Sequence, residues 1–167
     1  MLGIFGNKAI GLDRLKSGGF RVLPMVSIDA DAVRAGASPP VAEVLRRLGA
    51  PKWLAVRSSS ATEDTETTAA AGAFRTELGV APDQLANAIL KVADSLPQEG
   101  GPHGVVVQPM VTDAVASGVL FTHPDRYAVA FAPGLCAHVV NGHPVEERSF
   151  YRSGALWYAR PEDRSAL

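Results

Sequence analysis

The chain has 167 residues, a formal net charge of -1, 47% hydrophobic and 20% charged residues, and one cysteine. That make-up fits one ordinary globular domain spanning 1–167. An internal disulfide is excluded, no apolar run approaches the ~18 residues of a membrane span, and near-neutral charge gives no nucleic-acid footprint. The start, MLGIFGNKAIGL, has no basic stretch ahead of an apolar block, so it does not read as a secretion signal. The expected setting is cytoplasmic.

Asn7 to Lys16 reads as a short amphipathic helix, with Ile10, Leu12 and Leu15 apolar and Ser17-Gly18-Gly19 as its stop. Val22 to Ile28 reads as extended, and Pro24 keeps it at a sheet edge or a strand entry. Asp29 or Asp31 caps a short helix around Ala32 to Ala35. Past the turn from Gly36 to Pro39, Pro40 opens the helix VAEVLRRL, which ends at Gly49. Its Val41, Val44, Leu45 and Leu48 recur at helical spacing. Trp53 to Val56 is a compact strand. Ser58 to Thr68 is almost all Ser, Thr, Asp and Glu, and reads as a long polar loop of the kind that carries function.

In FRTELGV, alternation puts Phe74, Thr76, Leu78 and Val80 on one side of a half-buried strand. Pro82-Asp83 opens the clearest helix, DQLANAILKVADSL, with Leu85, Ile89, Val92 and Leu96 on one face. A Pro/Gly linker runs from Pro97 to His103. GVVVQPMV, GVLFT and YAVAFAP follow as short apolar strands, with weaker strand signals at His138–Val140, Ser149–Tyr151 and Leu156–Tyr158. Helices early and strands late predict an α+β (α/β) fold with a mostly antiparallel late sheet. Residues 1–80 and 81–167 then form two parts, the second being a helix plus that sheet.

Three blocks carry candidate chemistry. Gly6-Asn7-Lys8 opens the first helix, where backbone N–H groups and an ammonium suit a phosphate. No GxxxxGK[ST] is present, so this is not a P-loop, and the plain alternative is a solvated lysine. Arg57-Ser58-Ser59-Ser60-Ala61-Thr62-Glu63-Asp64-Thr65 places a guanidinium fork at a strand end, beside hydroxyl donors. Glu63 and Asp64 either orient Arg57 or touch a metal, and the plain alternative is an ion pair in a polar loop. Gln108-Pro109-Met110-Val111 and Ser117 to Thr122 read most simply as two hairpin-paired core strands, with Gly118 at a turn or bulge. Cys136 in an apolar setting reads as packing, and His123, before Pro124, as a turn residue.

Together these blocks resemble the N-terminal nucleotide-binding domain shared by phosphoenolpyruvate synthase, pyruvate phosphate dikinase and rifampicin phosphotransferase. The family reads G-G-K-x-x-S-L where this chain has Gly6-Asn7-Lys8-Ala9-Ile10-Gly11-Leu12. Its A-V-R-S-S-x-x-x-E-D, A-G and T-x-L-x-V blocks match Ala55 to Ser59, Glu63-Asp64, Ala71-Gly72 and Thr76 to Val80 without a gap. V-Q-x-M-V and S-G-V-x-F-T recur as Val107 to Val111 and Ser117 to Thr122. The resemblance runs from about residue 3 to about 145.

The resemblance implies an ATP-grasp-like fold, ATP and Mg²⁺ as cofactors, and Lys8 and Arg57 in the catalytic role of holding the ATP phosphates. Gly6, Ser58, Ser59, Thr62, Glu63, Asp64, Gly72 and Gln108 join them as nucleotide-binding residues. The chain departs from the family where G-L-G-E becomes Gly134-Leu135-Cys136-Ala137, which removes a carboxylate. The second lobe is expected to be reduced or absent, leaving Glu146 and Glu147 as metal candidates. The four histidines His103, His123, His138 and His143 all lie outside the T-x-H-x-A setting of the family's phospho-acceptor.

The expected function is therefore an ATP-binding domain or subunit of a dikinase-type phosphotransferase. It moves phosphate toward a histidine or small molecule on a partner protein or another domain. The alternative is a non-catalytic nucleotide-binding or protein-interaction module, and a third reading is a coding frame that continues downstream. An exposed docking face would favour a partner or a homo-oligomer.

Overall fold

A computed structural model describes residues 2–61, 64–65, 68–69, 75–124, 126–135, 146–151 and 156–159; at 64–65, 68–69, 146–151 and 156–159 it describes the backbone alone. The chain is α+β, and every strand pairing is antiparallel among the described residues. Two compact units divide it, Met1–Met110 and Val111–Leu167. Among the described residues no helix is long and apolar enough to cross a membrane.

In the first unit the strands are β1 (Leu2–Gly3), β2 (Val26–Asp29), β3 (Leu54–Ser59), β4 (Asp64–Thr65), β5 (Thr68–Ala69), β6 (Thr76–Val80) and β7 (Gly104–Pro109). Five of them form one sheet in the order β1-β2-β7-β3-β6, while β4 and β5 make a separate two-stranded pair. The helices are α1 (Gly6–Ser17), α2 (Ala30–Arg34), α3 (Val41–Leu48) and α4 (Leu85–Asp94), the last entered through a 3-10 turn, Pro82–Gln84.

Strand β7 is the spine of this sheet, and its Val105, Val106 and Val107 are fully buried. Burying each valine stabilises the fold by roughly 1.5–3 kcal/mol. Strand alternation then sorts the two faces. Val26, Ile28, Leu54, Val56, Val105 and Val107 join the apolar core with Val33 of α2, Val44 and Leu48 of α3, and Leu85, Ile89 and Val92 of α4. The register pairs Ser27 with Val106, Arg57 with Val106, Ser59 with Gly104, and Ala55 with Gln108, so these residues occupy the opposite face. That face is the polar one, and it receives the start of α1.

Helix α3 covers the expected span, and α4 buries the expected Leu85, Ile89 and Val92. Asp29 caps α2 by accepting from the Asp31 and Ala32 N–H groups, each at 3.0 Å. Four expectations are corrected. The polar stretch does not become loop at Ser58, because β3 continues through Ser59, paired with Val105 and Gly104 of β7, while the Ser58 N–H donates to the Arg75 carbonyl on the other side at 3.1 Å. Backbone pairing in a central strand overrides the weak strand propensity of serine. In β6, Leu78 is 57% exposed, because the ladder to β3 shifts register between Leu54 and Val56 and breaks the alternation.

The extended stretch around Pro24 is shorter than expected, with strand starting at Val26. Finally, β7 does not pair with the Ser117 block. That block lies in the second unit, whose strands are β8 (Ala116–Thr122), β9 (Arg126–Pro133), β10 (Glu146–Tyr151) and β11 (Leu156–Ala159), ordered β11-β10-β9-β8. Gly118 sits inside β8 opposite Phe131 rather than at a turn. His123 does belong to the β8–β9 turn, where its N–H donates to the Arg126 carbonyl at 2.8 Å.

Candidate functional site

The start of α1 is stitched to the end of β3, some fifty residues later in the chain. The Asn7 N–H donates to the Ser60 carbonyl at 3.0 Å, and the Asn7 side-chain amide donates to the Ala61 carbonyl at 2.9 Å. The Ala9 N–H donates to Ser59 Oγ at 3.1 Å, and that hydroxyl donates to the Phe5 carbonyl at 2.8 Å. A regular helix would join Ala9 N–H to Phe5 C=O directly. Here a serine from another strand stands inside that bond and caps the helix from a distance.

Close approach makes this possible. Gly6 has φ +74, and a Cβ there would overlap the Ser59 carbonyl and lie 2.6 Å from Ser59 Oγ. Glycine alone adopts that backbone cheaply, and glycine alone fits. On β7, a Cβ on Gly104 would stand 2.6 Å from Phe5 Cβ. The Phe5 N–H in turn donates to Ser27 Oγ at 3.3 Å. Two glycines and two serines thus let α1 lie directly on the polar face of the sheet. The N–H groups of Asn7 and Ala9 are therefore spent on β3, which differs from an open helix N-terminus aimed at a ligand.

The same stitching carries Lys8 to the strand that holds Arg57. Lys8 Nζ donates to the Ser58 carbonyl at 2.8 Å, one residue from Arg57. Arg57 is half-buried on the face that carries Ser59, and among the described residues no carboxylate pairs with it. Glu77, on the neighbouring strand, is taken by Arg75 at 2.6 Å. Gln108, 5% exposed, shares this face, one step along β7 from the position opposite Arg57. Ser58 points its hydroxyl the other way, with Val56 and Val105. Ser58 Oγ is buried and has no hydrogen-bond partner among the described residues.

Arg57, Ser59 and Gln108 thus share one sheet face, Gly6 packs against Ser59, and Lys8 reaches the Ser58 carbonyl. Thr62, Glu63 and Gly72 lie outside the described residues, and Asp64 is described only as backbone in β4. Glu146 and Glu147 are consecutive positions of β10, registered with Phe131 and Ala130, and their side chains are likewise outside the description. Among the described residues no group of three or more His, Cys, Asp or Glu side chains fits a metal ion. The described side chains therefore offer no cage for Mg²⁺. Two residues of this region were named in the sequence reading without being placed in the site, Ser60 and His103. Ser60 Oγ lies 3.0 Å from Nδ1 of His103, which is 1% exposed. The one available signal was a histidine standing at the mouth of the apolar run Gly104 to Val107.

A search of curated proteins finds no significant match. A family model does match, that of the pyruvate phosphate dikinase AMP/ATP-binding domain, over residues 31–161. The matched stretch includes Arg57, Ser58, Ser59 and Gln108 and begins after Lys8, which reaches the same place through its bond to Ser58. With a mixed helical and antiparallel architecture and a match over well over half its length, the chain belongs to the family of the AMP/ATP-binding domain of pyruvate phosphate dikinase.

Proposed function

We propose that the chain binds ATP across the polar face of its first sheet and serves as the nucleotide-binding part of a dikinase-type phosphotransferase. Lys8 and Arg57 hold the phosphates. The observation that supports this reading is the 2.8 Å bond from Lys8 Nζ to the Ser58 carbonyl, which holds that ammonium against the strand one residue beyond Arg57. Phosphoryl transfer depends on positioning and on neutralising charge at the β- and γ-phosphates. A lysine ammonium acts there as a point charge, and an arginine as a planar fork gripping two oxygens. No step of this reading depends on a protein-held Mg²⁺.

The phosphate acceptor is placed on another domain or chain, as a histidine or a small molecule. His103 is unsuited to it, being buried with both ring nitrogens engaged. Incubation of the purified chain with ATP tests the proposal. Micromolar binding without release of ADP or AMP is expected. Absence of ATP binding would refute the nucleotide reading, and rapid turnover by the chain alone would refute a separate acceptor. The second reading, a non-catalytic nucleotide-binding module, is favoured by Cys136-Ala137 standing where the family has glycine and glutamate. It expects binding that no histidine-bearing partner domain converts to transfer.

A further inference from the structure

We propose that His103 is a positioning residue for the nucleotide site, an inference that rests on the ATP reading above. It clamps the point where the hydroxyl-rich segment leaves β3. The ring is 1% exposed, so its polar atoms need partners inside the protein. Nε2 lies 3.3 Å from the Glu99 carbonyl, and Nδ1 lies 3.0 Å from Ser60 Oγ. A carbonyl only accepts, so Nε2 carries the proton and Nδ1 is the acceptor. The Ser60 hydroxyl therefore donates to His103.

Ser60 and the next residue, Ala61, are also gripped by Asn7, through its backbone N–H and its side-chain amide respectively. Gly101, at φ +103, seats the connection before β7 against Ala61, where an added Cβ would be 3.3 Å from Ala61 Cβ. The His103 carbonyl accepts from the Ala30 N–H at 3.1 Å, which ties the clamp to the start of α2. Ser60–Ala61 is thus a fixed joint between two grips, Asn7 in front and His103 behind. Asn7 precedes Lys8 and Ser60 follows the Ser58–Ser59 pair, so a shift of this joint moves both cations relative to each other. His103 reaches the nucleotide through Ser60 and does not touch it.

Three variants isolate the ring's two bonds. His103→Gln keeps a donor near the Glu99 carbonyl and loses the acceptor for Ser60. His103→Asn keeps an acceptor at the Nδ1 position. Ser60→Ala removes the hydroxyl alone, so it carries the test should the glutamine variant misfold. Each is compared by calorimetric titration with ATP and by hydrogen exchange at the Asn7 amide without nucleotide. His103→Gln and Ser60→Ala are each expected to weaken ATP binding about tenfold, as loss of one buried hydrogen bond does. They also speed exchange at Asn7, while His103→Asn restores both readouts to within about twofold of wild type. Wild-type ATP affinity and unchanged Asn7 exchange in His103→Gln and Ser60→Ala would overturn the proposal. If the unaltered chain bound no ATP, the nucleotide reading would fall and the positioning role with it; accelerated Asn7 exchange in the variants would then mark the clamp as purely structural.

Discussion

The Lys8 ammonium donates to the Ser58 carbonyl at 2.8 Å, across fifty residues of sequence. That bond ties the first helix to the backbone of β3 one residue beyond Arg57. Everything nearby serves the approach: Gly6 and Gly104 make room, while Ser59 and Ser27 take up the backbone groups left over.

Gly6→Ala should be severely disruptive. The new Cβ would collide with backbone atoms of Ser59, and φ +74 strains any residue with a side chain. A loss of about 3 kcal/mol or more is expected, read as a lowered urea midpoint. A wild-type midpoint would show that the α1–β3 contact can open without cost.

Two adjacent serines should respond with opposite signs. Ser59→Ala removes the hydroxyl bridging Ala9 and Phe5 and should cost about 1–2 kcal/mol. Ser58→Ala removes a buried, unpartnered hydroxyl and should be neutral or stabilise by about 1 kcal/mol. Paired denaturation curves read both, and equal losses at the two positions would contradict the assignment of the faces.

Glu43 should mark the acid limb of α3 stability. Hydrogen bonds from Arg46 and then Arg47 hold its carboxyl at about 2, against an ordinary 4.5. The folded value is the lower one, so the contribution is present above pH 4.5 and is lost as pH falls toward 2. Both arginines are solvent-exposed and Glu43 is partly so, so the effect is small and shrinks with salt. Carboxyl NMR titration of Glu43 reads it directly. A midpoint near 4.5 would show that the pairs do not persist in solution.

Much of this was legible before any coordinates. Val41 to Leu48 and Leu85 to Val92 repeat their apolar residues at helical spacing, and both became helices with those residues toward the core. Of the residues singled out by type and order, Arg57 and Gln108 lie on one sheet face and Lys8 bonds the Ser58 carbonyl. Ser58 and Ser59 were misread as loop because serine gives no apolar alternation, and their strand is imposed by pairing with β7. The separation of β7 from β8 was equally hidden, since two apolar runs a few residues apart read alike whether they pair or part. His103 escaped because a buried histidine is recognised by its partners, and Ser60 lies forty-three residues away.

The central claim is that Lys8 and Arg57 form one phosphate grip. Calorimetric titration of ATP into the wild-type chain, Lys8→Ala and Arg57→Ala tests it most directly. Each substitution removes a charge-assisted contact, and each should weaken binding by about tenfold to a hundredfold. The double variant should lose less than the product of the two, because both act on the same phosphates. ATP affinity unchanged by both single substitutions would contradict the account.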